Sequence, residues 1–435
     1  MKKVPTGQLS PDAQPLRQAA RPICLSGRRK SVLLSVALVV VVLAVHPLGA
    51  QITMLLFQRQ QTQHARSLEN TSPKAVDTTA VVSKSLDPER RIARLVDHLL
   101  SHMSLQEELG QLIMVSFVGT TLTPDLQTMI AHQYAGGVML YGYNIESFSQ
   151  VQTLDAASQA QAQIPLLIAT DQEGGLVNRL LPIIGPRPSA LDISNTNDPE
   201  NARKRGEEDG QVLKQIGINV DLAPVVDVHS APQTVIITRM FGTTPEQVAT
   251  FAGAYLDGLQ SQGVIGCLKH WPGLGASPID PHDALPVITR SQQDLNAIDF
   301  APYRTLLYQG NVNMIMSTHE LVTAYDAQLP SSLSPIMIDQ VLRHDLGYQG
   351  VVITDGLYMG ALAQWTIAQA AVLAIIAGND LLLGPWDSYE VQKVLDALQA
   401  AVASGQISKA RIDLSVERIL ALKIEEGVIH VPPSW

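Results

Sequence analysis

"GVVITDGLYMGAL", Gly350 to Leu362, shows the pattern on which the fold turns. Its first half is almost continuously apolar, which leaves no face for water and reads as a strand buried on both sides, the habit of parallel sheets. The run stops at Asp355, and Gly356 follows, so the carboxylate stands at the strand end with little side-chain crowding. The same pattern recurs along the chain in "MVSF" (Met114–Phe117), "GGVMLY" (Gly136–Tyr141), "LLIATD" (Leu166–Asp171) and "NVDLAP" (Asn219–Pro224). It continues in "GCLKHW" (Gly266–Trp271), "MIMSTH" (Met314–His319) and "DLLLGP" (Asp380–Pro385). Helical segments lie between the runs, among them "PEQVATFAGAYLDGLQSQG", which Gly263 closes, and one that starts at a Ser104–Glu107 capping box. Eight such alternations predict an α/β protein, a (β/α)8 TIM-type barrel, with a doubly wound open sheet as the alternative.

Polar residues sit where such a barrel keeps its chemistry. Asp171, Lys269, His270, His319 and Asp355 all fall at or just past the carboxyl ends of their strands, the face on which barrel active sites are assembled. A single strand-end Asp can be a helix cap; several converging are expected to form an active-site mouth.

The bulk numbers exclude other classes. The 435 residues are 46% hydrophobic and 16% charged, enough to bury a sizeable core, and the net charge of -10 argues against a nucleic-acid partner. The two cysteines, Cys24 and Cys267, rule out a four-cysteine zinc site, and Cys267 reads as a small buried residue. No cofactor is expected.

The amino terminus differs from the rest. Residues 1–30 hold seven Lys/Arg against one acid, Asp12, and no charge occurs from Ser31 to Phe57. A basic flank before an apolar run marks a transmembrane anchor or a secretory signal, with residues 1–30 as a basic cytoplasmic tail. The expected organisation is that tail, an anchor or signal over 31–51, a polar disordered linker over 52–85 and a catalytic barrel over 86–435. The barrel is expected outside the cytoplasm, on a single-pass membrane protein, or secreted if the signal is cleaved.

"KHWPGLGASPIDPHDALP", Lys269 to Pro286, carries Gly and Pro at a density that predicts a shaped loop. A metal site would need a third strong ligand, and neither HxH nor HExxH spacing is present. A plain turn has no need of two histidines and a lysine. Asp280 and His282, two apart on a turn, suit an acid–base pair in which the carboxylate fixes the imidazole tautomer. Asp355 is a candidate nucleophile or electrostatic stabiliser, with helix capping as its rival. In "TDQEGGLVNRL" (Thr170–Leu180), paired glycines allow a tight turn between Asp171 and Arg179, and a strand-end carboxylate suits the hydroxyls of a sugar. Arg239, in "VIITRMFGTTPEQV", suits either a substrate oxygen or a surface ion pair.

These landmarks together are recognisable. From about Leu105 to Gly427 the chain resembles the single-domain, β-N-acetylhexosaminidase-like branch of the family 3 glycoside hydrolases. "GQLIMVSFVG", "GGVMLYGYNI", "DQEGGLVNR", "NVDLAPVVDV", "KHWPGLG…DPH", "LRHDLGYQGVVITDGLYMGAL" and "RIDLSVERILALK" carry the resemblance in order. It implies a barrel and a retaining mechanism, with Asp355 as nucleophile, His282 as general acid/base and Asp280 orienting it. It also implies that Asp171, Arg179, Arg239, Lys269 and His270 bind a terminal N-acetylglucosamine. The implied substrate is a β-linked amino-sugar oligosaccharide, from cell-wall fragments or chitooligosaccharides. A β-glucosidase, a phosphorylase on the same scaffold and a non-catalytic, membrane-tethered sugar-binding protein are the alternatives.

Four positions depart from the family pattern. Leu274 replaces the second histidine of KHFPGHG, Ala276 an acidic residue, Pro281 the serine of Asp-Ser-His, and Leu176 the arginine after the paired glycines. Pro281 is expected to stiffen the pair, and Leu274 and Leu176 to make the mouth less polar.

Overall fold

Eight short parallel strands make the frame of the molecule. The computed structural model describes residues 88–431 apart from Gln233, so the expected tail, anchor and linker lie outside the described residues. The strands are β1 (Ile113–Val115), β2 (Gly137–Leu140), β3 (Leu167–Thr170) and β4 (Val220–Asp221), then β5 (Ile265–Trp271), β6 (Met314–Ser317), β7 (Val351–Thr354) and β8 (Leu382–Leu383). Neighbours in the chain are neighbours in the sheet, β8 pairs with β1, and a bridge between Ile353 and Leu381 joins the remaining ends. The result is a nearly closed barrel rather than the doubly wound alternative, because no strand order reverses.

The continuous apolar runs now have a cause. Alternate residues point to opposite faces of a strand. Met114, Met139, Ala169, Cys267, Met316 and Ile353 fill the barrel interior. Their neighbours Val115, Val138, Ile168, Leu268, Ile315 and Val352 pack outward against the helices. Cys267 is buried, as expected for a small core residue.

The helices follow the strands and carry the predicted end signals. Ser104 and Glu107 form the capping box of Leu105–Gln111, and Gly263 follows the helix Pro245–Ser261 at φ +71°. The last helix, Lys409–Glu425, sends Ile419 and Leu422 into the interior cluster. Among the described residues no helix is long and apolar enough to cross a membrane.

One strand expectation needed correction. β4 as a regular strand stops at Asp221, short of Pro224, whose nitrogen has no proton to donate to a ladder; beyond it single backbone bonds, such as Cys267 N to Ala223 O, and a bridge between Val225 and Lys269 carry the pairing on. Lys269 to Trp271, expected both as a strand end and as the start of the loop, belong to β5. The ladder to β6 is irregular between Leu268 and Trp271, and such an irregularity re-aims side chains that would otherwise face opposite ways.

Candidate active site

The eight residues given a catalytic or sugar-binding role in the sequence analysis line one pocket at the carboxyl ends of the strands, with a volume of about 250 Å3. Its walls come from the ends of seven of the eight strands.

After β3 the chain makes a small hairpin, Gln172–Gly174 against Val177–Asn178. Gly174 and Gly175 have φ of +85° and +56°, and a Cβ on Gly174 would stand 2.3 Å from the Pro188 carbonyl oxygen. Only glycine fits that turn, which returns Arg179 to within 3.8 Å of Asp171. The irregular end of β5 points both Lys269 and His270 into the mouth. Lys269 Nζ donates to Asp171 Oδ1 at 2.6 Å and lies 2.7 Å from Glu173 Oε1. Glu173 accepts two hydrogen bonds from Arg239, at 2.7 and 2.8 Å. Arg239 Nη2 lies 3.2 Å from His270 Nε2, and His270 Nδ1 lies 2.7 Å from Asp227 Oδ2. Since a guanidinium only donates, His270 Nε2 accepts and Nδ1–H donates to Asp227.

Charges alternate in sign along this row of ion pairs, from Arg179 through Asp171, Lys269 and Glu173 to Arg239. Burial alone would raise the Glu173 carboxyl, but the Arg239 and Lys269 cations outweigh it and hold it well below the carboxylate range. Burial opposes the charge of Lys269 too, and Asp171 and Glu173 together raise it above its ordinary value. Arg239 is therefore in an ion pair, as one sequence alternative held, but a largely buried one inside the mouth.

On the other side stand the acid–base candidates. His282 Nδ1 and its backbone N–H both meet Asp280 Oδ1, at 2.8 and 2.9 Å, leaving Nε2 free. The imidazole is 60% exposed, so it can meet a leaving group. The loop that carries it is docked on the segment after β7: Ala361 N donates to Pro281 O and Gly360 N to His282 O, both at 3.0 Å. A Cβ on Gly360 would lie 2.6 Å from that His282 oxygen. Asp355 lies at the end of β7, its backbone N–H bound to Ser317 O and its Oδ1 accepting from Gly356 N at 2.8 Å. Burial would raise its carboxyl, yet the rings of His319 and His270, with the Gly356 N–H, keep it below its usual value.

Two sequence expectations turned out differently. His319 does not line the pocket. It is fully buried, donates from Nε2 to Gly356 O at 3.0 Å and pairs Nδ1 with Ser332 Oγ at 2.6 Å, so it supports the Asp355 turn from behind. Leu176 is 83% exposed and stands off the pocket, which Val177 lines instead; Leu274 does line it. Glu173 and Asp227 were not assigned from sequence, although both hold the mouth together. Glu173 sits two residues after Asp171, a spacing that faces one side of a strand and could have flagged it. Asp227 meets His270 across forty-three positions of chain, with no local signal.

A barrel mouth where carboxylates, cations and imidazoles converge on one polar pocket is the equipment of a carbohydrate-processing enzyme. Residues 104–422 match the glycosyl hydrolase family 3 N-terminal domain. The chain belongs to that family, in its β-hexosaminidase-like branch, and is a glycoside hydrolase. It is 34% identical over 335 residues to β-hexosaminidase LpqI of Mycobacterium tuberculosis, covering 74% of this chain and 83% of that one. Among solved structures, a family 3 β-N-acetylglucosaminidase from Paenibacillus sp. FPU-7 superposes with a TM-score of 0.72 at 36% identity, over 76% of this chain and 64% of that one. The β-glucoside phosphorylase BglX superposes with a TM-score of 0.68 at 25% identity, over 80% of this chain and 64% of that one.

Proposed function

We propose that the protein is a retaining exo-glycosidase that removes terminal β-linked N-acetylglucosamine from cell-wall fragments or chitooligosaccharides. The observation that carries this is the Asp280–His282 pair, with Nε2 free, opening on the same pocket as a buried Asp355 held ionised. Asp355 attacks the anomeric carbon while protonated His282 gives its Nε2 proton to the leaving oxygen, so the glycosidic bond breaks as the carboxylate ester forms. Neutral His282 then takes a proton from water, which displaces Asp355 and restores both groups. Asp171, Arg179, Arg239, Lys269 and His270 hold the first sugar. Residues 31–51 tether or export the barrel, and fractionation of cells expressing the whole chain tests that.

The test is turnover of chromogenic β-N-acetylglucosaminide and β-glucoside by the whole chain beside Asp355→Asn. Cleavage of the first alone, lost in Asp355→Asn, is the expected result; cleavage of the glucoside alone would sink the amino-sugar assignment. The likeness to BglX favours phosphorolysis as the second reading. Formation of a sugar 1-phosphate when inorganic phosphate is added would select it.

A further inference from the structure

The pocket rim carries an aromatic surface that the sugar-contact residues do not account for. Tyr141 and Tyr143 leave the end of β2, Tyr358 follows β7, and Trp386 follows β8. The rings of Tyr141, Tyr143 and Trp386 lie 5.3 to 6.3 Å apart by centroid, with planes within 29° of one another. Tyr358 meets Trp386 edge-on at 5.1 Å, and its hydroxyl lies 3.0 Å from that of Tyr141. The arrangement is built into the backbone. A Cβ on Gly356 would stand 2.6 Å from the Tyr358 ring and one on Gly384 2.9 Å, so two glycines make the slot in which that ring sits.

The slab is also partly wet. Tyr143 is 50% exposed and Tyr358 39%. Ordered aromatic rings left in water at the edge of a pocket mark a surface that a ligand covers. Tyr141 and Tyr358 line the pocket as well, so the slab continues the site where the first sugar is held. A pyranose ring presents C–H groups on its face and hydroxyls around its edge, which matches a partly exposed aromatic stack joined to a polar pocket. A phosphate or a methyl group would gain little there.

We propose that this slab binds the sugar beyond the scissile bond, making a β-linked disaccharide or longer glycan the preferred substrate over glycosides of small aglycones. The proposal rests on the N-acetylglucosaminidase assignment for the first sugar. Steady-state kinetics of Trp386→Ala and Tyr143→Ala on N,N'-diacetylchitobiose and on methyl β-N-acetylglucosaminide test it, since the two substrates share that sugar. The ratio of kcat/KM for chitobiose to that for the methyl glycoside is expected to fall roughly tenfold, the scale of one well-made aromatic contact, mainly through KM. Trp386→Phe and Tyr143→Phe, which keep a ring, are expected to retain most of it. An unaltered ratio, whether both activities fall together or neither falls, overturns the proposal. If the unmodified enzyme cleaves neither substrate, the amino-sugar assignment has failed, and cellobiose against methyl β-glucoside then decides the slab by the same ratio.

Discussion

Asp280 and Asp355 are carboxylates of one pocket, yet their neighbours give them different work. Asp280 spends one oxygen on the His282 ring and backbone, and those bonds outweigh burial to keep it below its ordinary value. Asp355 bonds only its own turn through one oxygen, while buried imidazoles stand near. In the proposed mechanism the first orients a proton donor and the second attacks. Asp280→Asn should therefore lower kcat on chitobiose by about 100-fold, within the range of general acid–base effects. With a dinitrophenyl leaving group, which departs without a proton, cleavage of the bond to sugar should fall far less. An equal loss on both substrates, measured before the steady state, would refute an orienting role for Asp280. The identity of both residues was legible because each stands in a short motif; Asp227 was not, because its partner is supplied by folding.

At the scale of elements, the proton-donor loop depends on a glycine it does not contain. Gly360 lies after β7, and its missing side chain lets two backbone bonds fix the loop at Pro281 and His282. Pro281 was expected to stiffen the pair, and its carbonyl also serves as one of the docking points. Gly360→Ala should displace the loop, lower kcat at least about tenfold with little change in KM, and speed amide exchange over residues 279–284. Unchanged exchange with full activity would show that the docking is incidental. The sequence marked residues 269–286 as loop from Gly and Pro density. Lys269–Trp271, which it also marked as the end of a strand, stays strand through pairing with β6, so the loop proper begins after Trp271.

Across the whole molecule, the ion-pair chain from Arg179 to Arg239 ties the ends of β3, β4 and β5 together. Glu173 is its hub. Glu173→Gln leaves Lys269 and Arg239 facing each other without their shared anion, a change expected to cost about 3–5 kcal/mol, read from urea unfolding. The pH dependence follows from the depressed Glu173 carboxyl. Its stabilisation is full above the ordinary carboxylate range near ~4.3 and is lost as pH falls below it. The urea midpoint should thus drop on the acid side, and Glu173→Gln should flatten that drop; parallel profiles for the two proteins would contradict it.

The sequence by itself determined the eight strands, the barrel they imply and the eight residues of the mouth, because strand burial, the strand-end polarity of Asp171, Lys269, His270 and Asp355, and the loop motifs that hold Arg179, Arg239, Asp280 and His282 are all local signals. Tertiary structure alone decided closure over an open sheet, the buried place of His319, the exposure of Leu176, and the contacts of Glu173 and Asp227. Each of those depends on groups brought together from distant strands, and which groups meet is fixed only when the barrel closes.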